Sequence, residues 1–510
     1  MNGISRTRID LRALMASTAL GAALCALGGG AGQAATLEEA ETLRGEVASF
    51  LADTGIPAWS FRSGTVTADI DGDGYRIVIP DLVLVFDEAG NHAEVELDDV
   101  TLQLDPDPVD DAVFGVSARL GGSSLLGGGP VQLVINGTEG QRAFIDIGSH
   151  DFSGTWSSEI SYFTDAKIAL DNVVVTPDAS VANAPDFRLS VGSIHGGSSL
   201  TEVEPGLWDG TGESVIEDVV VEADGQTPFR LDRFTLNQSV AGFAFADYME
   251  WVRSNPAMMG EEPQFASDEE AQAFFKQTIL NFPTVLDDFD LSWTLTGLDA
   301  GDRDDRLLID SHEFGISATG LAGDVSDWQL RLGLTGLTIP GDEAPAQFVP
   351  TVVDIDLALN DLPTGLGWQA MESAVGGAEI RDMDMIGPML GQQILQLALQ
   401  AQSGVDLGGH VDFQTGNVTF DGEIHADPNS PVMASGGLLI AVSQMQDFIR
   451  EVENTMGPES AAPLTMLQAL GQQEDGANGP QTVFDFQISG SSVLMNGQDM
   501  QPLMMMLGQQ

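Results

Sequence analysis

Thr65-Val66-Thr67-Ala68-Asp69-Ile70, Asp71-Gly72-Asp73-Gly74, Tyr75-Arg76-Ile77-Val78-Ile79, Leu82-Val83-Leu84-Val85-Phe86: this stretch decides the fold class. β-Branched and aromatic residues fill its flanks, and the acidic, glycine-bearing tetrad reads as a turn, so the first two runs form a hairpin. Ala93 to Leu104 continues with Val95, Leu97, Val100, Leu102 and Leu104. That alternation slips once, at Asp98-Asp99, where a bulge or a bend is expected.

Downstream, strands are expected at Val131–Ile135, Ala143–Ile147, Ile168–Val175, Phe187–Ile194, Ser214–Val221 and Phe229–Leu236. Short spacing, punctuated by Gly, Asp, Asn and Pro, is the all-β pattern. A mainly helical passage is expected over Ser239–Asn281, with a capping box at Ser267 and Glu270. Strands resume at Phe289–Leu295, Leu307–Ala318, Gln329–Leu337 and Thr351–Leu359, and a second helical passage includes Leu390–Gln402. His410–Phe413 and Asn417–Ile424 suggest a hairpin around Thr415-Gly416. Leu438, Val442, Met445, Ile449, Val452 and Met456 step by four and three, so one amphipathic helix is expected, stopped by Gly457-Pro458. A shorter helix carries Leu464, Leu467 and Leu470. A polar linker, Gln472–Gln481, then leads to a strand with Phe484, Phe486 and Ile488 and to an Asn496-Gly497 turn. Gly121-Gly122-Ser123-Ser124-Leu125 echoes Gly196-Gly197-Ser198-Ser199-Leu200, each read as a flexible turn after a strand.

Upstream lies a helix. Thr36 can cap it, Glu38, Glu39 and Glu41 suit its first turns, Leu37, Leu43, Val47, Phe50 and Leu51 form its apolar face, and Gly55-Ile56-Pro57 ends it. Before that, Arg6, Arg8 and Arg12 precede an apolar run, Leu14–Leu27, and a small-residue site, Gly32-Gln33-Ala34. This is the layout of a secretory signal peptide over residues 1–34, cleaved before Ala35, so export to the periplasm is expected. The apolar run is too short for a membrane span of ~20 residues, so no transmembrane span is expected in the mature chain. The rival reading, a lipid anchor on Cys25, meets Leu24 where a small residue is usual. Cys25 is the sole cysteine, so a disulfide framework is excluded and stability must come from burial.

The chain carries 77 acidic against 19 basic residues, a net charge of −58. Such a surface repels nucleic acid and anionic lipid headgroups. With 43% hydrophobic residues it is not the composition of a disordered chain, and the spread of acids suits a solvated surface. The remaining organisation is read as an N-terminal β-rich region over 35–236, a helical insertion over 237–285, a second β-rich region over 286–430, and amphipathic helices with a terminal strand hairpin over 431–510.

This layout resembles the alphaproteobacterial periplasmic proteins grouped as domain of unknown function 2125. The resemblance rests on the signal peptide and short helix, the Asp71-Gly72-Asp73-Gly74 turn, and Leu334-Thr335-Gly336-Leu337-Thr338-Ile339-Pro340 entering Val352–Leu359. It also rests on Phe484-Asp485-Phe486-Gln487-Ile488 followed by Val493-Leu494-Met495-Asn496-Gly497-Gln498. It implies an exported, β-rich envelope protein and carries no site residues. The terminal helix-then-Asn-Gly-Gln layout is more loosely similar to AsmA-like envelope proteins, which by analogy suggests lipid handling.

Asp69, Asp71 and Asp73 match the first half of a calcium loop, with hard oxygens at alternate positions and Gly74 for the turn. Pro80 stands where the bidentate Glu belongs, so an Asp-Gly hairpin turn competes with Ca²⁺ there. Asp299, Asp302, Asp304 and Asp305 form a second acidic loop. His92, His150, His195, His312, His410 and His425 are dispersed and match no zinc or catalytic spacing. Neither Gly-Gly-Ser-Ser-Leu segment is a nucleophile elbow, and no phosphate loop is present. Met383, Met385, Met389, Met495, Met500, Met504, Met505 and Met506 invite Cu(I) but suit packing or partner contact better. The expectation is a mainly β (α+β) protein of extended antiparallel sheets, with helical insertions and an amphipathic helix near its C-terminus. It is expected to be a non-enzyme of the envelope, without a resident cofactor, binding a lipid-like ligand or a partner protein. The alternatives are a calcium-stabilised adhesive surface protein and an unrecognised hydrolase.

Overall fold

The computed structural model describes residues 35–52, 59–88, 91–106, 113–120, 130–137, 142–157, 162–181, 186–248, 286–302, 305–340, 345–377, 393–430, 432–476, 479–489 and 492–500. The expected signal-peptide segment 1–34, Gly55-Ile56-Pro57, Gly121–Leu125 and the expected Ser267–Glu270 box fall outside them. The chain is mainly β, and the strand pairings described below are antiparallel. It divides into two compact units, one of Met1–Gly206, Gly210–Gly225 and Phe245–Gln264, the other of Leu207–Asp209, Gln226–Ala244 and Phe265–Gln510.

The first unit opens with α1 (Leu37–Ala52). Thr36 and Glu39 form a reciprocal cap. The Glu39 N–H donates to Thr36 Oγ1 at 3.2 Å, and the Thr36 N–H and hydroxyl donate to Glu39 Oε2 at 3.2 and 2.8 Å. Ala40, Leu43, Val47 and Leu51 form its buried face.

Its strands are β1 (Trp59–Arg62), β2 (Thr67–Asp71), β3 (Gly74–Glu88), β4 (Asn91–Pro106), β5 (Val113–Leu120), β6 (Val131–Gly137), β7 (Arg142–Ser157), β8 (Tyr162–Pro177), β9 (Phe187–Glu204) and β10 (Leu207–Ala223). β1 and β2 share one edge of β3, against Val83–Phe86 and Gly74–Val78. β3 pairs with β4; β5 and β6 lie end to end between β4 and β7; β8, β9 and β10 follow in order.

The expected runs Tyr75–Ile79 and Leu82–Phe86 are one strand, not two. A bulge at Pro80-Asp81 joins them, with Asp81 at φ 51 and its N–H donating to Asp99 Oδ1 at 3.2 Å. The slip at Asp98-Asp99 is the matching irregularity on β4, with Asp98 at φ 54. The extra residue resets the parity of the strand. Buried side chains step Tyr75, Ile77, Ile79, then Leu82 and Leu84; on β4 they step Val95, Leu97, then Val100, Leu102 and Leu104. The apolar face therefore stays on one side through the bulge. The same happens on β8, where Leu170 and Val173 are both buried across Asn172 at φ 53.

These left-handed positions line up across the sheet. Gly148 faces Asn172, Gly192 faces Asp218 (φ 53), and the gaps between β1 and β2 and between β5 and β6 fall at the same level. Each bulge interrupts the alternation, which is why the expected strands were about half the length of those present. Gly196–Leu200, expected as a turn, continues β9 and pairs with β8. One contiguous core results, in which Ile77 and Leu102, directly paired, are fully buried.

The second unit is a meander of β11 (Gln226–Phe243), β12 (Asp288–Asp302), β13 (Asp305–Thr319), β14 (Ser326–Thr335), β15 (Val352–Leu362), β16 (Gly404–Phe413), β17 (Gly416–Ala426) and β18 (Ala434–Ser443). β18 then pairs with β20 (Gly479–Ser489), whose other edge takes β19 (Gln472–Gly476) and β21 (Ser492–Met495), with β22 (Gln498–Asp499) beyond. Its named helices are α2 (Thr364–Gly377), α3 (Met445–Met456) and α4 (Pro458–Leu470), with a further helical run at 393–401.

Two expectations fail here, and a third element starts later than expected. The helix expected from Leu438 begins only at Met445. Leu438 and Val442 suit both a helical step of four and a strand step of two. Two flanking strands and Gly436-Gly437 decide for β18, and Gln444 at φ 51 makes the switch. The polar linker Gln472–Gln481 is β19 turning into β20. Of the helical passage from Ser239, residues 239–243 belong to β11, 245–248 are helical, and 249–285 lie outside the described residues. The Asn496-Gly497 turn is present, with both residues at positive φ (51 and 76).

Candidate functional site

Between their bulges, the strands from β11 to β18 mostly alternate apolar and polar residues. In an antiparallel sheet, directly paired residues share a face. Leu291, Ile316, Leu330, Leu357 and Leu407 therefore form a row across five strands. A neighbouring row runs Leu236, Trp293, Phe314, Leu332, Ile355, Gly409, Phe420 and Ile440. Two further rows flank these, one through Phe289, Trp328 and Leu359, the other through Leu295, Leu334 and Val353. Trp293 stacks on Phe314 with centroids 4.1 Å apart, and Phe289 meets Trp328 edge-on at 5.5 Å. The opposite side carries Asp290, Glu313, Arg331, Asp354, Asp356, Asp421 and Glu423, all exposed.

The two units treat their apolar faces differently. In the first, that face is a buried core under α1. In the second, the row residues from Phe289 to Ile424 are mostly only half-buried, and Val405 is 39% exposed. α3 covers one end, and near the other Ala318 on β13, Ala370 on α2 and Phe245 are buried. Met445, Ile449 and Val452 of α3 pack with Ile440, Val442, Phe484 and Phe486, and Phe448 meets Phe348 and Phe413. Two polar side chains fall within these rows, Gln238 on β11 and His312 on β13, and the His312 ring shares a hydrogen bond of 2.9 Å with the Gly333 carbonyl.

Toward one end of the strands the rows stop at a second line of bulges. Gly297 (φ 65) lies against Asp232 and Gly336 (φ 66) against Asp310; a Cβ added at either would fall 2.2 or 2.1 Å from a carboxylate oxygen. Toward the other end stand Asp287, Asp288, Asp324, Asp327, Asp361 and Asp427, with no Lys or Arg among the described residues of that rim. Several of these carboxylates accept backbone hydrogen bonds: Asp288 from Gly320 at 2.9 Å, Asp327 from Asp361 at 2.8 Å.

Asp69, Asp71 and Asp73 lie exposed on the β2–β3 hairpin, where Gly72 (φ 65) takes the first turn position and Asp71 pairs with Gly74. Among the described residues, no three His, Cys, Asp or Glu are gathered as a metal site. In the second acidic loop, Asp299 is bound by Arg306, and Asp302 pairs with Asp305 across the hairpin. The histidines are separate. His195 faces Asp171 at 3.5 Å, His410 faces Asp354 at 3.9 Å, His425 contacts Glu423, and His92 faces Glu94 at 3.2 Å. Burial holds the His150 imidazole below its ordinary range, against the pull of Asp151. Met495 is buried and Met500 packs beside it on the α3 cluster; Met383, Met385, Met389 and Met504–Met506 lie outside the described residues.

Most of these strands are legible in the sequence, but the joining of their apolar sides is not. The available signal was the alternation on four consecutive strands, β12 to β15, with no α-helix among the described residues between them. No family model matches the chain, and neither a curated protein nor a solved structure matches it.

Proposed function

We propose that this is a non-enzymatic envelope protein, exported through a cleaved signal peptide, which holds a lipid-like ligand on the apolar face of its second unit. The observation that carries this reading is the contrast between the units. One buries its apolar face, while the other presents rows of Leu, Ile, Val, Phe and Trp that are mostly only partly buried across eight consecutive strands, β11 to β18. Exposed apolar area of this extent is unfavourable in water by about 25 cal/mol per Å² and marks a surface that is covered in use. An acyl chain covers it at a gain of roughly 0.8 kcal/mol per CH₂. No described helix is long and apolar enough to cross a membrane. The resemblance to the exported family of unknown function adds support for the envelope.

Native mass spectrometry of protein purified from its native host's periplasm without detergent tests the reading. A bound mass in the lipid range, released by organic solvent, is expected; a clean apo mass overturns it. N-terminal sequencing of the same material should start near Ala35; an intact Met1 or an acylated Cys25 overturns the export route.

A further inference from the structure

Resting on the lipid reading, we propose that the ligand is an ammonium-bearing lipid, lying tail-along-strand on the apolar face with its head at the aspartate rim. The four rows place side chains at every second residue, so they span about 20 Å along the strands. One leaflet's hydrocarbon is about 15 Å thick, so a single acyl chain fits between the two ends of the rows. Those ends differ in charge. At the bulge line, Arg306 binds Asp299 and Arg230 binds Asp232, so cations stand beside two of the carboxylates there, with Asp310 exposed near them. At the other rim, Asp287, Asp324, Asp327 and Asp361 are exposed and face no Lys or Arg among the described residues there. Backbone N–H groups of Ala322, Gly320 and Asp361 hold Asp287, Asp288 and Asp327, so these carboxylates are fixed in place.

Charge complementarity selects the occupant. An anionic head at this rim would sit within a Debye length, about 8 Å, of several carboxylates on a chain of net charge −58. A second copy of the chain would bring the same charge to the same face, so it is not the cover. A head that presents an ammonium gains from each carboxylate it approaches.

Full-length protein, delipidated and titrated with fluorescent-tailed phosphatidylethanolamine and with phosphatidylglycerol of identical chains, decides the matter. The ammonium lipid should bind at least about tenfold more tightly at low ionic strength, and the ratio should fall toward one in high NaCl. The triple variant Asp287→Asn, Asp324→Asn, Asp327→Asn should lose the preference while keeping tail binding. Equal affinities, or tighter phosphatidylglycerol, in the wild-type protein overturn the headgroup assignment and leave the lipid reading standing. Failure of both lipids to bind overturns the lipid reading with it.

Discussion

Asp98 sits at φ 54 in the middle of β4. That conformation costs an L-residue roughly 1–2 kcal/mol, and Asp and Asn bear it better than most because their short polar groups bond locally. Asp81, Asp218, Asp224 and Asp361 occupy the same region. Part of the chain's acidity is therefore conformational, serving the bulges as well as the surface. Asp98→Gly should leave stability unchanged or raise it slightly, whereas Asp98→Val should cost about 2 kcal/mol, because a β-branched side chain resists φ > 0. Urea unfolding midpoints check both; equal losses would mean that the carboxylate, not the backbone, matters.

Tyr75 makes a second residue-scale case. Its buried hydroxyl donates to Glu39 Oε2 at 2.7 Å and so ties α1 to β3. The bond from Tyr75, then those from Thr36, hold the Glu39 carboxyl below its ordinary 4.5. That contribution is complete above the unfolded value and is lost as pH falls through the lower folded one. Burial, then the bond to Glu39, pushes the phenol up to about 12 from 10, so its contribution is complete below pH 10 and is lost as pH climbs toward 12. Tyr75→Phe should cost about 1 kcal/mol, discounted because Glu39 is solvent-screened. The deficit should be widest at neutral pH and shrink toward both extremes. A deficit independent of pH would exclude the ionised pair as its source.

At the scale of elements, the bulges explain what could and could not be read from the chain. Tyr75, Ile77 and Ile79 announce a strand, and so do Leu82 and Leu84, but the three-residue step between them hides that they are one. Deleting Asp98 should return β4 to simple alternation and turn either Val95 and Leu97 or Val100, Leu102 and Leu104 out of the core. Its cost should far exceed that of Asp98→Val, and hydrogen exchange should show β3–β4 opening. A deletion no worse than the substitution would mean that the bulge does not set the parity. The α3 misreading has a different cause, since residues four apart lie on one face of a strand as well as of a helix. The structure separates the two patterns energetically. Ile449→Ala, within the buried α3 cluster, should cost about 2–4 kcal/mol, and Leu438→Ala, half-exposed on β18, distinctly less. Equal costs would restore the continuous helix. The candidate face was legible only strand by strand, because its continuity lies in the register between strands and not in any one of them.

At the scale of the whole molecule, two consequences of composition oppose each other. Apolar burial favours the compact state, while a net charge of −58 works against it through self-repulsion. Exposed charges more than a Debye length apart, about 10 Å at 0.1 M salt, are screened from one another, so the repulsive part should yield to salt while the burial part does not. Acidic side chains on the polar side of the second unit come close to one another: Asp406 on β16 pairs directly with Glu423 on β17, where facing positions are about 5 Å apart. That distance is short enough to matter at low ionic strength and is partly screened at physiological salt. The melting temperature should therefore rise steadily with NaCl in the presence of a chelator. Sulfate at equal ionic strength should raise it further by strengthening apolar burial. A melting temperature indifferent to NaCl but raised by Ca²⁺ would contradict the screening account. It would direct attention to metal sites, first among them the exposed Asp69, Asp71 and Asp73 of the β2–β3 hairpin, which Asn substitution would then test one by one.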